Sequence, residues 1–316
     1  MKKKILLVAS LFLFIGIVNA DAITYDLCKE GCTYSSYDDI INNISTLDTS
    51  KSYDFVINIK DNATYETSAS ISVGLKEEWA KSTFKVIGEN GSEPTIKGTE
   101  KYFYISPFNY AEVKNVNYEG EHCIVDYHNS NNNSSTKITN SNLNCDFVSL
   151  NHKAVEINNV KFDGKQFFTP FISENVIIKN SNIKGVGFEY NQNEWHPGVR
   201  FDSNNVTITN STITSDSLWD DVYSTVTIKD STINLSKEYN SKSDSLNITN
   251  SNIKVPDGIK TFGLMNIDKT TINVNSNIGL TFVNGSGTIK NSKISGAKVY
   301  GIEYVADNFA NKYNQK

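Results

Sequence analysis

"VTITNSTIT" occupies residues 206–214, "VTIKDSTIN" follows at 226–234, and "LNITNSNIK" at 246–254. Aligned on the residue after the recurrent Asn, the pattern extends to nine copies. Their markers are Val116, Ser141, Val160, Ser181, Ser211, Ser231, Ser251, Thr270 and Ser292. Three residues before each marker stands Val113, Ile138, Ile157, Ile178, Ile208, Ile228, Ile248, Ile267 or Ile289. Two after it stands Tyr118, Leu143, Phe162, Ile183, Ile213, Ile233, Ile253, Ile272 or Ile294. Apolar residues alternate with polar ones on either side of the marker. Period two with β-branched residues is the signature of short strands with one buried face. Before the marker stands Asn in seven copies, with Asp230 and Lys269 as the exceptions. Asn is the non-glycine residue that best tolerates a left-handed backbone, so it turns a strand at a single residue.

A strand, a one-residue corner and a strand, returning about every twenty residues, describe a solenoid coil that buries its core only by stacking on its neighbours. The expected fold is all-β, a single-stranded parallel β-helix. Nine coils spaced at about 4.8 Å would make a rod on the order of 40 Å long. The Leu-x-x-Leu-x-Leu pattern of a leucine-rich repeat is absent. The Asn column reads as a stack of buried amides, hydrogen-bonded to each other and to backbone.

Ahead of the regular coils, residues 33–47 place Tyr37, Ile40, Ile41, Ile44 and Leu47 on one helical face, with Ser36 and Asp39 as a capping box. This predicts a short N-terminal helix that seals the open end of the stack. "FVINI" (55–59), "FKVIGE" (84–89), "TIKG" (95–98) and "YFYIS" (102–106) read as early, irregular coils. The expected organisation is a leader over 1–22, an N-terminal cap over 23–50, early coils over 51–110, regular coils over 111–300, and a tail or cap over 306–316.

With its opening helix, the segment "VIGENGSEPTIKG" (86–98) and the recurring Ile-x-Asn-Ser-x-Ile coils, the chain resembles the pectate-lyase-like superfamily over roughly residues 23–305. The resemblance implies a right-handed β-helix. It does not choose a function, since that superfamily holds lyases, hydrolases, esterases, tailspikes and non-catalytic surface proteins.

The chain opens with MKKK, an apolar run over residues 5–18 and small residues around Ala20 and Ala22, the layout of a secretory signal peptide. The apolar run is short for a spanning helix. An exported, extracellular protein is therefore expected, with no membrane span after cleavage. The net charge of −5 becomes about −8 or −7 once the leader's three lysines are gone. The remaining lysines are scattered and there is one arginine, Arg200, which argues against a nucleic-acid partner. Four cysteines in an exported chain read as disulfides, with Cys28–Cys32 and Cys123–Cys145 favoured over the other pairings. Cys123 and Cys145 follow adjacent markers by seven and four residues, which suits a bond across neighbouring coils. A structural zinc site lacks the paired Cys-x-x-Cys spacing.

The candidate site is the longest gap between markers, residues 187–205, with the following stretch 216–223. It gathers two of three tryptophans, the sole arginine and several acids, and a loop on a regular scaffold is where function concentrates. Tyr190, Trp195, Trp219 and Tyr223 are candidates to stack on sugar rings. Glu194, Asp202, Asp216, Asp220 and Asp221 are candidates for an acid/base pair. Arg200 or His196 would take a proton in a lyase reaction, with acids holding calcium beside a uronate. No catalytic signature of the superfamily's enzymes is matched. The leading expectation is a secreted β-helix that binds polysaccharide or acts as a surface adhesin. The second is a divergent polysaccharide lyase or glycoside hydrolase acting on acidic polysaccharide.

Overall fold

The computed structural model describes residues 20–68, 81–89, 91–106, 108–125, 134–169, 173–190, 194–221 and 225–305. It is a parallel β-solenoid of about eight turns. Each regular coil has three short strands, so three stacks of parallel strands run the length of the rod.

The first face is formed by the strands before the marker, such as Asn205–Thr209, Thr225–Lys229, Ser245–Thr249 and Leu264–Asp268. The second is formed by the strands after it, such as Thr212–Ser215, Thr232–Leu235 and Asn252–Lys254. Pairing is in register with the sequence repeat. Ile138, Ile157, Ile178, Ile208, Ile228, Ile248, Ile267 and Ile289 lie directly over one another in one file. From Ile138 to Ile267 that file is at most 1% exposed. Neighbouring rungs thus supply each other's backbone hydrogen bonds and apolar contacts, and no rung closes a core alone.

All nine corner residues have φ between +48° and +56°, Asp230 and Lys269 included. The corner geometry is therefore imposed by the stack, and Asn is the side chain that suits it best. The amides form a ladder, with Asn140 donating to Asn115, Asn159 to Asn140 and Asn210 to Asn180 at 2.7–3.1 Å. That ladder is on the outside, which corrects the expectation of buried amides: Asn140, Asn159, Asn180, Asn210, Asn250 and Asn291 are exposed. A left-handed corner throws its own side chain outward and turns the next one in. The buried polar ladder is the marker column. Ser211 Oγ accepts from the Ser181 N–H at 3.1 Å and donates to the Thr209 carbonyl at 2.8 Å. Ser231 and Ser251 repeat the arrangement, so where the marker is Ser its hydroxyl satisfies backbone that the corner leaves unpaired; Val116 and Val160 hold the same position without one.

The early segments join the same stack as Tyr53–Ile59, Thr83–Gly88, Thr95–Gly98 and Tyr102–Ser106. The helix runs over Tyr37–Ser45, with Ser36 accepting from the Asp39 N–H and with Tyr37, Ile40, Ile41 and Ile44 buried in the core. One strand precedes it. Asp21–Leu27 pairs in parallel with Tyr53–Ile59, so the solenoid begins before its helix. Both expected disulfides are present: Cys28–Cys32 beside the helix, and Cys123–Cys145 between adjacent coils. The expected tail, 306–316, lies outside the described residues, as does most of the leader.

The third face was not foreseen. Its strands include Gln166–Thr169, Val199–Phe201, Leu218–Asp220, Tyr239–Ser241 and Ile259–Thr261. One inward file reads Thr169, Phe201, Asp220, Ser241, Thr261 and Phe282. Four of these six are polar, so the apolar alternation that marks the other faces is interrupted here.

Candidate functional site

The outward side of the third face changes character along the rod. Its first outward file holds Tyr102, His122, Phe147 and Gln166. The second holds Ser149, Phe168, Arg200, Trp219, Asn240, Lys260 and Thr281. The aromatic side chains all lie in the N-terminal half, among Gln166, Ser149 and Arg200, and the C-terminal half is polar. These side chains turn outward, most of them half-buried, because the strand alternation that buries Phe167 and Val199 turns their neighbours out.

The long gap in the repeat becomes an antiparallel hairpin on this face, Phe188–Tyr190 against Glu194–His196. Close backbone contacts fix its base. A Cβ on Gly185 would stand 2.0 Å from the Gly198 carbonyl oxygen, so neither strand of the neck tolerates a side chain. Gly187, at φ +74°, lies against the Asp216 carboxylate, which accepts the Gly198 N–H at 2.8 Å. Rings then tie the hairpin to the coils. Tyr102 meets His122 at 4.8 Å, His122 stacks on Phe147 at 4.4 Å, Phe147 meets Phe188 edge-on at 4.8 Å, and Phe188 stacks on His196 at 4.9 Å. Cys123–Cys145 joins the two rungs that carry His122 and Phe147.

Between hairpin and coils lies a groove of about 600 Å³, lined by this ring series with Phe168, Val148, Ser149, Gln166, Lys101, Glu121 and Arg200. Tyr102 is 51% exposed at one end. Two smaller depressions, of about 330 and 440 Å³, lie on the second face and along the amide ladder, with Asn the commonest lining residue.

Arg200 closes the other end of the groove. Its Nε donates to Asp202 at 2.8 Å, its guanidinium also reaches Asp221 at 3.2 Å, and it lies over the Phe168 ring. Lys242 approaches Asp221 at 2.6 Å. Burial raises the Asp202 carboxyl above its usual range, with Arg200 opposing the shift. Burial also lowers the His122 pKa, so its ring is neutral at neutral pH.

The expected site residues therefore separate. His196 and Arg200 line the groove, and Trp219 follows Arg200 on the next rung, donating to Glu238 at 3.2 Å. Asp202 and Asp221 hold Arg200. Two candidates for acid/base work are corrected. Asp216 is buried at the hairpin neck, where it positions backbone. Asp220 points into the core at 0% exposure, accepting from Ser241 Oγ at 2.8 Å and from the Ser243 N–H at 3.3 Å, beyond reach of any ligand. Burial pushes its pKa up to about 7. Tyr190, Glu194 and Trp195 belong to the hairpin, their side chains lying outside the described residues, as does all of Tyr223. Among the described residues no group of three or more His, Cys, Asp or Glu side chains is placed to hold a metal ion, calcium included. Nor is any described helix long and apolar enough to cross a membrane.

Sequence reasoning missed Tyr102, His122, Phe147, Phe168 and Phe188. A signal existed: His122, Phe147 and Gln166 each stand six residues after a marker. No protein-family model matches the chain, and neither does any curated protein or solved structure.

Proposed function

We propose that this is an exported β-solenoid, related to the pectate-lyase-like superfamily, that binds polysaccharide in the aromatic groove of its third face and serves as a surface adhesin or glycan-binding protein. The observation that carries the reading is the groove itself. Pyranose rings have apolar C–H faces rimmed by hydroxyls, and the groove offers aromatic rings beside Ser149, Gln166 and His122. The rest of the solenoid's outer surface has no comparable aromatic series among the described residues.

A binding role is favoured over hydrolysis or elimination because the described acids near the groove are engaged. Asp202 and Asp221 both clamp Arg200, the one guanidinium that would act on a substrate. Two disulfides support export, and cleavage after Ala20 would leave the first strand, Asp21–Leu27, whole. Cleavage after Ala22 would remove its pairs with Tyr53 and Asp54.

The test is affinity electrophoresis of the purified protein through gels containing single polysaccharides. Wild type is retarded by at least one glycan. The double variant Phe147→Ala/Phe168→Ala, checked for fold by circular dichroism, loses about tenfold or more in affinity, as expected when ring contacts near 1 kcal/mol each are removed. Equal retardation of folded variant and wild type would remove the groove from the account. Product formation during the run would favour the enzyme instead.

A further inference from the structure

Resting on that reading of the groove, we propose that its ligand is an uncharged saccharide and that the acids around it exclude polyanions. Among the described residues, every lysine and arginine at the groove has a carboxylate partner. Lys101 stands 3.9 Å from Glu121, and Lys165 stands 2.7 Å from Asp146. Arg200 is held by Asp202 at 2.8 Å and Asp221 at 3.2 Å, and Lys242 by Asp221 at 2.6 Å. Four cations thus face four acids. The cations are also turned toward rings: Lys101 lies 5.6 Å from the Tyr102 ring centre, Lys165 5.6 Å from Phe147, and Arg200 5.6 Å from Phe168. His122 adds no fixed charge, and its nearest acid is Glu121 at 3.4 Å.

Among the described residues, a carboxylate or sulfate entering here meets no unmatched lysine or arginine. It must displace an anchored acid or lie beside one, and the chain's overall charge of −5 adds to the repulsion. What the groove does offer is neutral: ring edges and faces, and the hydroxyl and amide of Ser149 and Gln166. Glu121 and Asp146 are therefore specificity residues, shielding Lys101 and Lys165, with Glu121 also beside the His122 ring.

Isothermal titration against neutral polymers (a β-glucan, a xylan, a mannan) and anionic ones (polygalacturonate, alginate, hyaluronate) tests this. Wild type binds a neutral polymer with affinity changing by less than about twofold between about 50 and 500 mM salt, because no charge pairing drives it. Polygalacturonate, alginate and hyaluronate do not bind. The double variant Glu121→Gln/Asp146→Asn unmasks two lysines and gains about tenfold or more for polygalacturonate at low salt. Binding of anionic polymers alone, or of both classes equally, overturns this inference and leaves a glycan groove standing. Failure of every polymer to bind overturns the glycan reading itself. Should the double variant not fold, the wild-type panel and its salt series decide alone.

Discussion

Inside the rod, one isoleucine file runs unchanged from Ile138 to Ile289, while on the outside of the third face Phe168, Arg200 and Trp219 give way to Asn240, Lys260 and Thr281. Both are files of stacked residues on one scaffold. The inner file repeats because each rung must fit the rungs above and below it. The outer file is free to vary, so its change from aromatic to polar requires a reason outside the fold. Repetition in this chain records packing, and the break in repetition records what the packing is for.

That contrast makes the largest expected effect a dissociation of stability from binding. Ile228→Ala empties a fully buried site and should cost about 2–5 kcal/mol in denaturant unfolding. Thr227→Ala, on the outward side of the same strand, should stay within about 0.5 kcal/mol. Both folded variants should bind glycan like wild type, since neither lies on the third face. A binding loss from Thr227→Ala would place the ligand on the first face and break the comparison.

Asp220 gives the second test, because it is a polar residue in an inner file. Its folded pKa of about 7 lies above the unfolded value of about 3.9. Between those values the folded chain holds a proton that the unfolded chain has released. The contribution of this residue to stability is therefore favourable at the acid end and is lost as pH rises toward 7. Asp220→Asn keeps the acceptor for Ser241 and Ser243 without the ionisation. It should raise stability at pH 8 by up to about 4 kcal/mol and flatten the pH dependence between about 4 and 7. Urea titrations of both proteins across that range check it. An unchanged pH profile would mean that Asp220 titrates alike in the folded and unfolded chain, so that burial does not raise its pKa.

The smallest effect concerns the corner. Lys269 holds φ +49° where seven other copies place Asn. Lys269→Asn should raise stability by about 0.5–1 kcal/mol, read as a small upward shift in melting temperature. A loss of stability would show that the Lys269 side chain makes a contact worth more than the relief of backbone strain.

These residues also show what the sequence made legible. Ile208, Ile228 and Ile248 announced the stack, because burial on a pleated strand forces period two and stacking forces period twenty. The corners were legible through the same steric rule, although which column is buried was not: Asn at the corner and Ser after it look alike in sequence, and only the turn direction separates them. Cys123–Cys145 was legible from offsets within the repeat. The third face was not, since Asp220, Ser241 and Thr261 fill inward positions that an apolar pattern would mark. The groove followed the same fate. Its rings come from four coils and a hairpin, and nothing local joins Tyr102 to Phe188. The long gap contributed His196 and Arg200 to the groove lining, yet it also promoted Asp216 and Asp220, which are buried in the scaffold.

Hydroxyl-radical footprinting of the protein with and without the tightest-binding glycan addresses the groove most directly. The account predicts protection of Tyr102, Phe147, Phe168 and Phe188, with Thr207, Thr227 and the corner amides unchanged. Protection of the first face or the amide ladder, with the four aromatic residues oxidised as before, would contradict it.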